Sequence, residues 1–96
     1  MEKEVIVKWK IKETETERIL NLLPTLVEQT RNEKGNLSYN IYQSAEDPNV
    51  LFLHERYVNA DAAEEHKAAS HYQETVALQI IPHLEVREVS VLKKLY

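Results

Sequence analysis

Three of the chain's four histidines and two of its five tyrosines fall within nineteen residues, HERYVNADAAEEHKAASHY (54–72). Imidazole is the side chain that titrates near neutrality as a residue type. A histidine among carboxylates is therefore equipped to take and return a proton at physiological pH. Glu55, Glu64 and Glu65 supply the carboxylates, and Tyr57 and Tyr72 supply flat walls with a hydroxyl at the rim. Metal binding is the poorer chemistry, so no metal is expected. His66 and His71 stand five apart, and neither the three- nor the four-residue helical spacing brings them onto one face. With no cysteine there is no thiolate zinc site, no disulfide framework and no cysteine nucleophile. The competing reading is plainer: the polar sides of a strand and a helix that merely adjoin in sequence.

The bulk numbers narrow the setting. Ninety-six residues are expected to form one domain with a thin core. Apolar residues at 43% and charged residues at 29% are ordinary for a globular chain. The net charge is −4 with Lys and Arg dispersed, which argues against a basic groove for nucleic acid. No apolar run approaches a membrane span, and MEKEVIVK lacks a signal peptide's apolar centre, so a cytoplasmic location is expected. A domain this thin has little room for a deep pocket unless a second copy helps to wall it.

The elements that must position these residues follow from periodicity. Residues 4–11 alternate, with Val5, Val7, Trp9 and Ile11 on one side and Ile6, Lys8 and Lys10 on the other, the pattern of a strand. Thr14 or Thr16 then caps a helix whose apolar positions are Ile19, Leu20, Leu23, Leu26 and Val27. Pro24 should kink or split it, and Gly35 offers a C-terminal stop. Residues 37–45 read as a second strand, 46–49 as a turn, and 50–58 as a third strand completing a hairpin. From Asn59 or Asp61 a helix runs to about Ile81, with a break at Ser70 in prospect and Pro82 ending it. The tail from Leu84 is a charged final strand, as an edge or exchanged strand would be. The order βαββαβ is the ferredoxin-like arrangement, α+β, with a four-stranded antiparallel sheet and both helices on one face. Its other face is left bare, and a second copy is the expected cover, which would make a homodimeric α+β barrel.

Within that order the run from Glu33 to Tyr72 resembles the antibiotic biosynthesis monooxygenase (ABM) domain family, and small quinol monooxygenases in particular. The matching elements are Glu33 and Gly35, Tyr39, Asp47-Pro48, Glu55 with Tyr57, Ala62-Ala63, His66 and His71-Tyr72. No one of these is specific; their joint spacing carries the likeness. The resemblance implies the ferredoxin-like fold as a homodimer. For many members it also implies oxygenation of dihydroxy-aromatic substrates without any cofactor.

Such chemistry needs an apolar pocket for a flat ring and a base for a phenolic proton. The resemblance assigns His66 as that base, with Glu55 orienting it or the substrate hydroxyl. The alternatives stay open: His66 as a surface or capping histidine beside Glu64 and Glu65, and Glu55 as a structural carboxylate. Tyr57, Tyr39 and Trp9 are the expected pocket walls, and His71 and Tyr72 the further candidates, Tyr72 leaning toward core. His54 lies on the opposite strand face from Glu55, toward a dimer or solvent. Tyr57 stands where the family more often has Trp. The position of an axial haem histidine in haem-degrading relatives falls near Val76, which cannot bind iron. The strand-one Asn of some relatives has no counterpart here.

The expected function is thus a cofactor-independent monooxygenase that oxidises a small quinol or polyphenol with O2. Its rivals are an isomerase of a small polar ketone, using the same His–Glu pair, and a non-catalytic dimeric module that binds a metabolite or serves a stress response.

Overall fold

Strand β1 covers Lys3–Ile11, and its alternation is realised in three dimensions: Val5, Val7, Trp9 and Ile11 are buried while Ile6 stays exposed. The computed structural model describes residues 1–96. A 3-10 turn (Glu13–Glu15) leads into helix α1 (Thr16–Arg31), followed by β2 (Asn36–Gln43), β3 (Val50–Tyr57) and α2 (Ala60–Ala68). A π-helical stretch, Tyr72–Ile80, and a 3-10 turn, Ile81–His83, lead to β4 (Leu84–Leu92). The sheet is antiparallel in the order β2-β3-β1-β4, the ferredoxin-like α+β topology.

Register decides what shares a face. Val5 lies opposite Glu55 on one side and Val91 on the other, and Glu55 in turn lies opposite Tyr39. These four therefore form one row beneath the helices, because directly paired residues in an antiparallel ladder project to the same side. The main core joins Trp9, Ile11, Leu51 and Leu53 of the sheet to Ile19 and Leu26 of α1 and to Val76 and Ile80 of the π-helical stretch.

Several local expectations are corrected. Neither Thr14 nor Thr16 caps α1; the cap position is Glu15, which makes no side-chain cap bond, and Thr16 Oγ1 instead reaches Asn49 Oδ1 at 2.7 Å. The hydroxyl ties the helix start to the β2–β3 turn, a long-range bond that no local pattern announces. Pro24 lies inside an unbroken α1, where its side is exposed and the missing N–H costs one intrahelical bond. Gly35 is not a left-handed helix stop, since no residue has positive φ. Its requirement is space: a Cβ there would sit 2.3 Å from Ala62 Cβ. Asn59, of the two candidates, caps α2, its Oδ1 accepting from Ala62 N at 2.8 Å.

The long second helix is in fact interrupted. Ala69 leaves helical geometry (φ −66°, ψ 147°), and the helix resumes at Ser70. The face away from the helices exposes Ile6, Phe52 and Leu92, each at 38%, and Tyr42 at 57%.

Candidate active site

Glu33 sits in the turn between α1 and β2, and backbone bonds hold that turn: Glu33 N donates to Thr30 O, and Glu33 O accepts from Asn36 N. Arg31 clips the end of α1 to β2 by donating to Tyr39 O at 3.1 Å. Gly35 lets α2 lie directly against the turn, and Gly35 O accepts from Val58 N at 2.9 Å. The result is that the Glu33 carboxylate meets two imidazoles. Its Oε2 lies 2.6 Å from His66 Nδ1 and 2.5 Å from His71 Nε2. A carboxylate only accepts, so both ring nitrogens are assigned as donors.

That bond sets the tautomer of His66. With the proton on Nδ1, the neutral ring leaves Nε2 as a lone-pair acceptor. Nε2 has no protein partner, yet it is not sealed away from a water-sized contact. His66 itself is only 4% exposed and lines a cavity of about 90 Å³ over the sheet.

Three tyrosines surround the ring. Its centroid lies 5.7 Å from that of Tyr39, 5.4 Å from Tyr57 and 5.2 Å from Tyr72, the last edge-on. Tyr57 donates its hydroxyl to Glu55 Oε1 at 2.8 Å, and both groups are buried. Burial pushes the Glu55 carboxyl above the usual carboxylate range, while the Tyr57 hydrogen bond and the His66 charge pull the other way. Burial and the nearby Glu55 charge push the Tyr39 and Tyr57 hydroxyls up as well, so both stay neutral donors.

The expected pocket residues are thereby placed. Trp9, Tyr39, Glu55, Tyr57, His66 and Tyr72 all line the cavity. Tyr72, expected in the core, does both: it packs on the core cluster and forms wall. His71 is the exception, touching Glu33 but lying outside the cavity lining. Glu55 does not orient His66 by a hydrogen bond; Tyr57 occupies it, and Glu33 takes that role. His54 lies on the far sheet face, with Nε2 2.5 Å from Glu4 Oε2. Val76 lines the cavity with a side chain that offers no ligand atom. The sequence marks Glu33 only as the acidic residue before Gly35, and its reach to two histidines across more than thirty positions has no local signal. Arg87, Val89 and Val91 of β4 also join the lining, through a register that periodicity alone leaves undetermined.

Glu33, His66 and His71 each present a donor atom within 4.8 Å of the others, the composition of a three-ligand metal set. The five-residue spacing that argues against such a set assumes a continuous helix, and the break at Ala69 removes that premise. The contacts of 2.5 and 2.6 Å nevertheless have hydrogen-bond spacing. Two donors on one zinc-sized ion, each about 2.0–2.1 Å away from it, stand roughly 3 Å apart or more. The cluster as built is a carboxylate clamping two ring protons.

The class of protein is now defined: a ferredoxin-like α+β chain that presents a carboxylate-oriented histidine in a tyrosine-walled cavity. The chain belongs to the antibiotic biosynthesis monooxygenase (ABM) family, whose model matches residues 4–78. A protein of Mycobacterium tuberculosis named "Putative monooxygenase Rv0793" is 43% identical over 51 residues, a match spanning 53% of this chain and half the length of that protein. The solved structure of Rv0793 superposes with a TM-score of 0.89 at 30% identity, covering 100% of this chain and 97% of that one. A structure from Nitrosomonas europaea described as "Putative antibiotic biosynthesis monooxygenase" gives a TM-score of 0.83 at 32% identity, covering 99% and 91%.

Proposed function

We propose that the protein is a cofactor-independent monooxygenase of a small quinol or polyphenol, with His66 as general base. One observation carries the reading: Glu33 holds the Nδ1 proton of a buried histidine and leaves Nε2 free in an apolar, aromatic cavity. A substrate hydroxyl placed against Nε2 gives up its proton, and the phenolate surrenders an electron to dioxygen far more readily than the phenol. For hydroquinone itself the balance is hydroquinone plus O2 giving hydroxyquinone plus water, so one oxygen atom enters the ring and the substrate supplies all the electrons.

The walls serve the same end. Tyr39, Tyr57 and Trp9 are 1–2% exposed and keep water from the radical pair. The cavity's 90 Å³ is tight, since a cavity of roughly 150 Å³ accommodates benzene. A single ring therefore needs the lining to yield, and the thinly covered β4 side, where Val89 and Val91 are exposed, is where it can open. A second copy of the chain covers the bare sheet face in this reading, supported by the apolar Ile6, Tyr42, Phe52 and Leu92 there.

The test is oxygen consumption by metal-stripped protein against a panel of hydroquinones, beside His66→Ala. Saturable uptake that disappears in the variant supports the reading. Uptake that survives in the variant keeps the oxygenase and removes His66 as its base. No uptake above autoxidation passes the site to the ketone isomerase or the binding module.

A further inference from the structure

A buried base that accepts a substrate proton becomes a cation, and a substrate seated against Nε2 closes the direct route by which the cavity could shed that charge to water. Around His66 the structure offers one ionisable path outward. Glu33 Oε2 is shared between His66 and His71, whose ring centroids are 5.9 Å apart. His66 lines the cavity and His71 does not. The His71 side chain is 13% exposed, and its Nδ1, which has no protein partner, is not sealed from solvent. One ring thus faces substrate, the other faces water, and a single carboxylate lies between them.

We propose that Glu33 and His71 form the proton outlet of the cavity, an inference that rests on the base role given to His66. Glu33 carries one negative charge and so compensates one imidazolium, not two. The pair therefore holds a single extra proton, on one ring or the other. When the substrate hydroxyl transfers its proton to His66 Nε2, the His66 imidazolium takes over the Glu33 charge and His71 releases its Nδ1 proton to water. Both rings keep their N–H bonds to Oε2 throughout, one proton enters from substrate and one leaves to solvent. The reverse exchange delivers a proton to the reduced oxygen and restores the starting state. Interacting sites of this kind titrate as a pair. The other ionisable groups around that cavity are Lys3 from β1, Tyr39 from β2, Glu55 and Tyr57 from β3, Lys67 from α2, Tyr72 from the π-helical stretch and Arg87 from β4. None of them bridges His66 to a second imidazole. His71 is accordingly a positioning and relay residue and not a catalytic one.

His71→Gln separates relay from scaffold, because the amide Nε2 still donates to Glu33 but cannot ionise. In dilute buffer the variant is expected to turn over about tenfold more slowly than the wild type with unchanged KM, and added imidazole should restore its rate while leaving the wild type unaffected. In parallel, ring-nitrogen NMR should show His66 and His71 of the wild type titrating in two coupled steps and His66 of the variant titrating in one. A variant with wild-type turnover, or one whose loss no buffer repairs, overturns the outlet. If no hydroquinone is oxidised at all, the oxygenase reading fails by itself. The NMR titration then decides the outlet alone: two coupled steps uphold the shared proton, and independent titrations overturn it.

Discussion

His66 Nδ1 lies 2.6 Å from Glu33 Oε2, although the two residues belong to different segments thirty-three positions apart. The carboxylate decides which imidazole nitrogen carries the proton, and hence which one can act as a base. Glu33→Gln keeps the size but can present an amide N–H to Nδ1, inviting the proton onto Nε2 and silencing it. The expected outcome is a loss of about 10²-fold or more in kcat for oxygen uptake, the scale at which a positioned base contributes, with the folded state retained by circular dichroism.

Glu55 makes stability depend on pH. Its folded-state titration is raised above the ordinary 4.5, chiefly by burial. A group with a raised value stabilises the fold below its unfolded titration and loses that contribution as pH climbs through the folded one. Glu55→Gln retains an acceptor for Tyr57 without the charge. Its urea midpoint should therefore exceed that of the wild type by a margin that grows as pH rises from 4.5 toward neutrality. Equal pH slopes for the two proteins would contradict this assignment.

Gly35 is required by contact, not by backbone conformation. An added Cβ would stand 2.3 Å from Ala62 Cβ, and neither side is a flexible side chain that could swing away. Gly35→Ala should cost about 1–3 kcal/mol in urea unfolding, the usual range for overpacking. Because α2 carries His66 and the adjoining turn carries Glu33, its oxygen uptake should fall further than the lost stability explains.

The bare sheet face sets the last expectation. Phe52 is 38% exposed there, with Tyr42 and Lys8 opposite it in register. Phe52→Glu places a charge in the middle of that patch, where burial against a second copy would be costly. Light scattering should read a dimer for the wild type and a monomer for the variant at equal micromolar concentration. A monomeric wild type would remove the second copy from the proposal.

Much of this was legible along the chain. Period-two alternation in Val5, Val7, Trp9 and Ile11 and the turn at Asp47-Pro48 specified strands and their hairpin, because side-chain parity and turn chemistry are local. The same parity put Glu55 with Tyr57 on one strand face and allowed Trp9 and Tyr39 the helix side, and the register brings all four to the cavity. The break near Ser70 was also readable in outline.

The tertiary structure alone decided who touches whom. It took Glu55 away from His66 and gave it to Tyr57, brought Glu33 to both His66 and His71, and turned Gly35 from a helix stop into a seat for α2. Those outcomes depend on how α1 and α2 settle over the sheet and on Ala69 leaving the helix, so that residues five apart can converge on one oxygen. Residue types and their periods determined the elements and the chemistry available to them. Hydrogen-bond partnership requires placement to within a few tenths of an ångström, and only the packed chain supplies that.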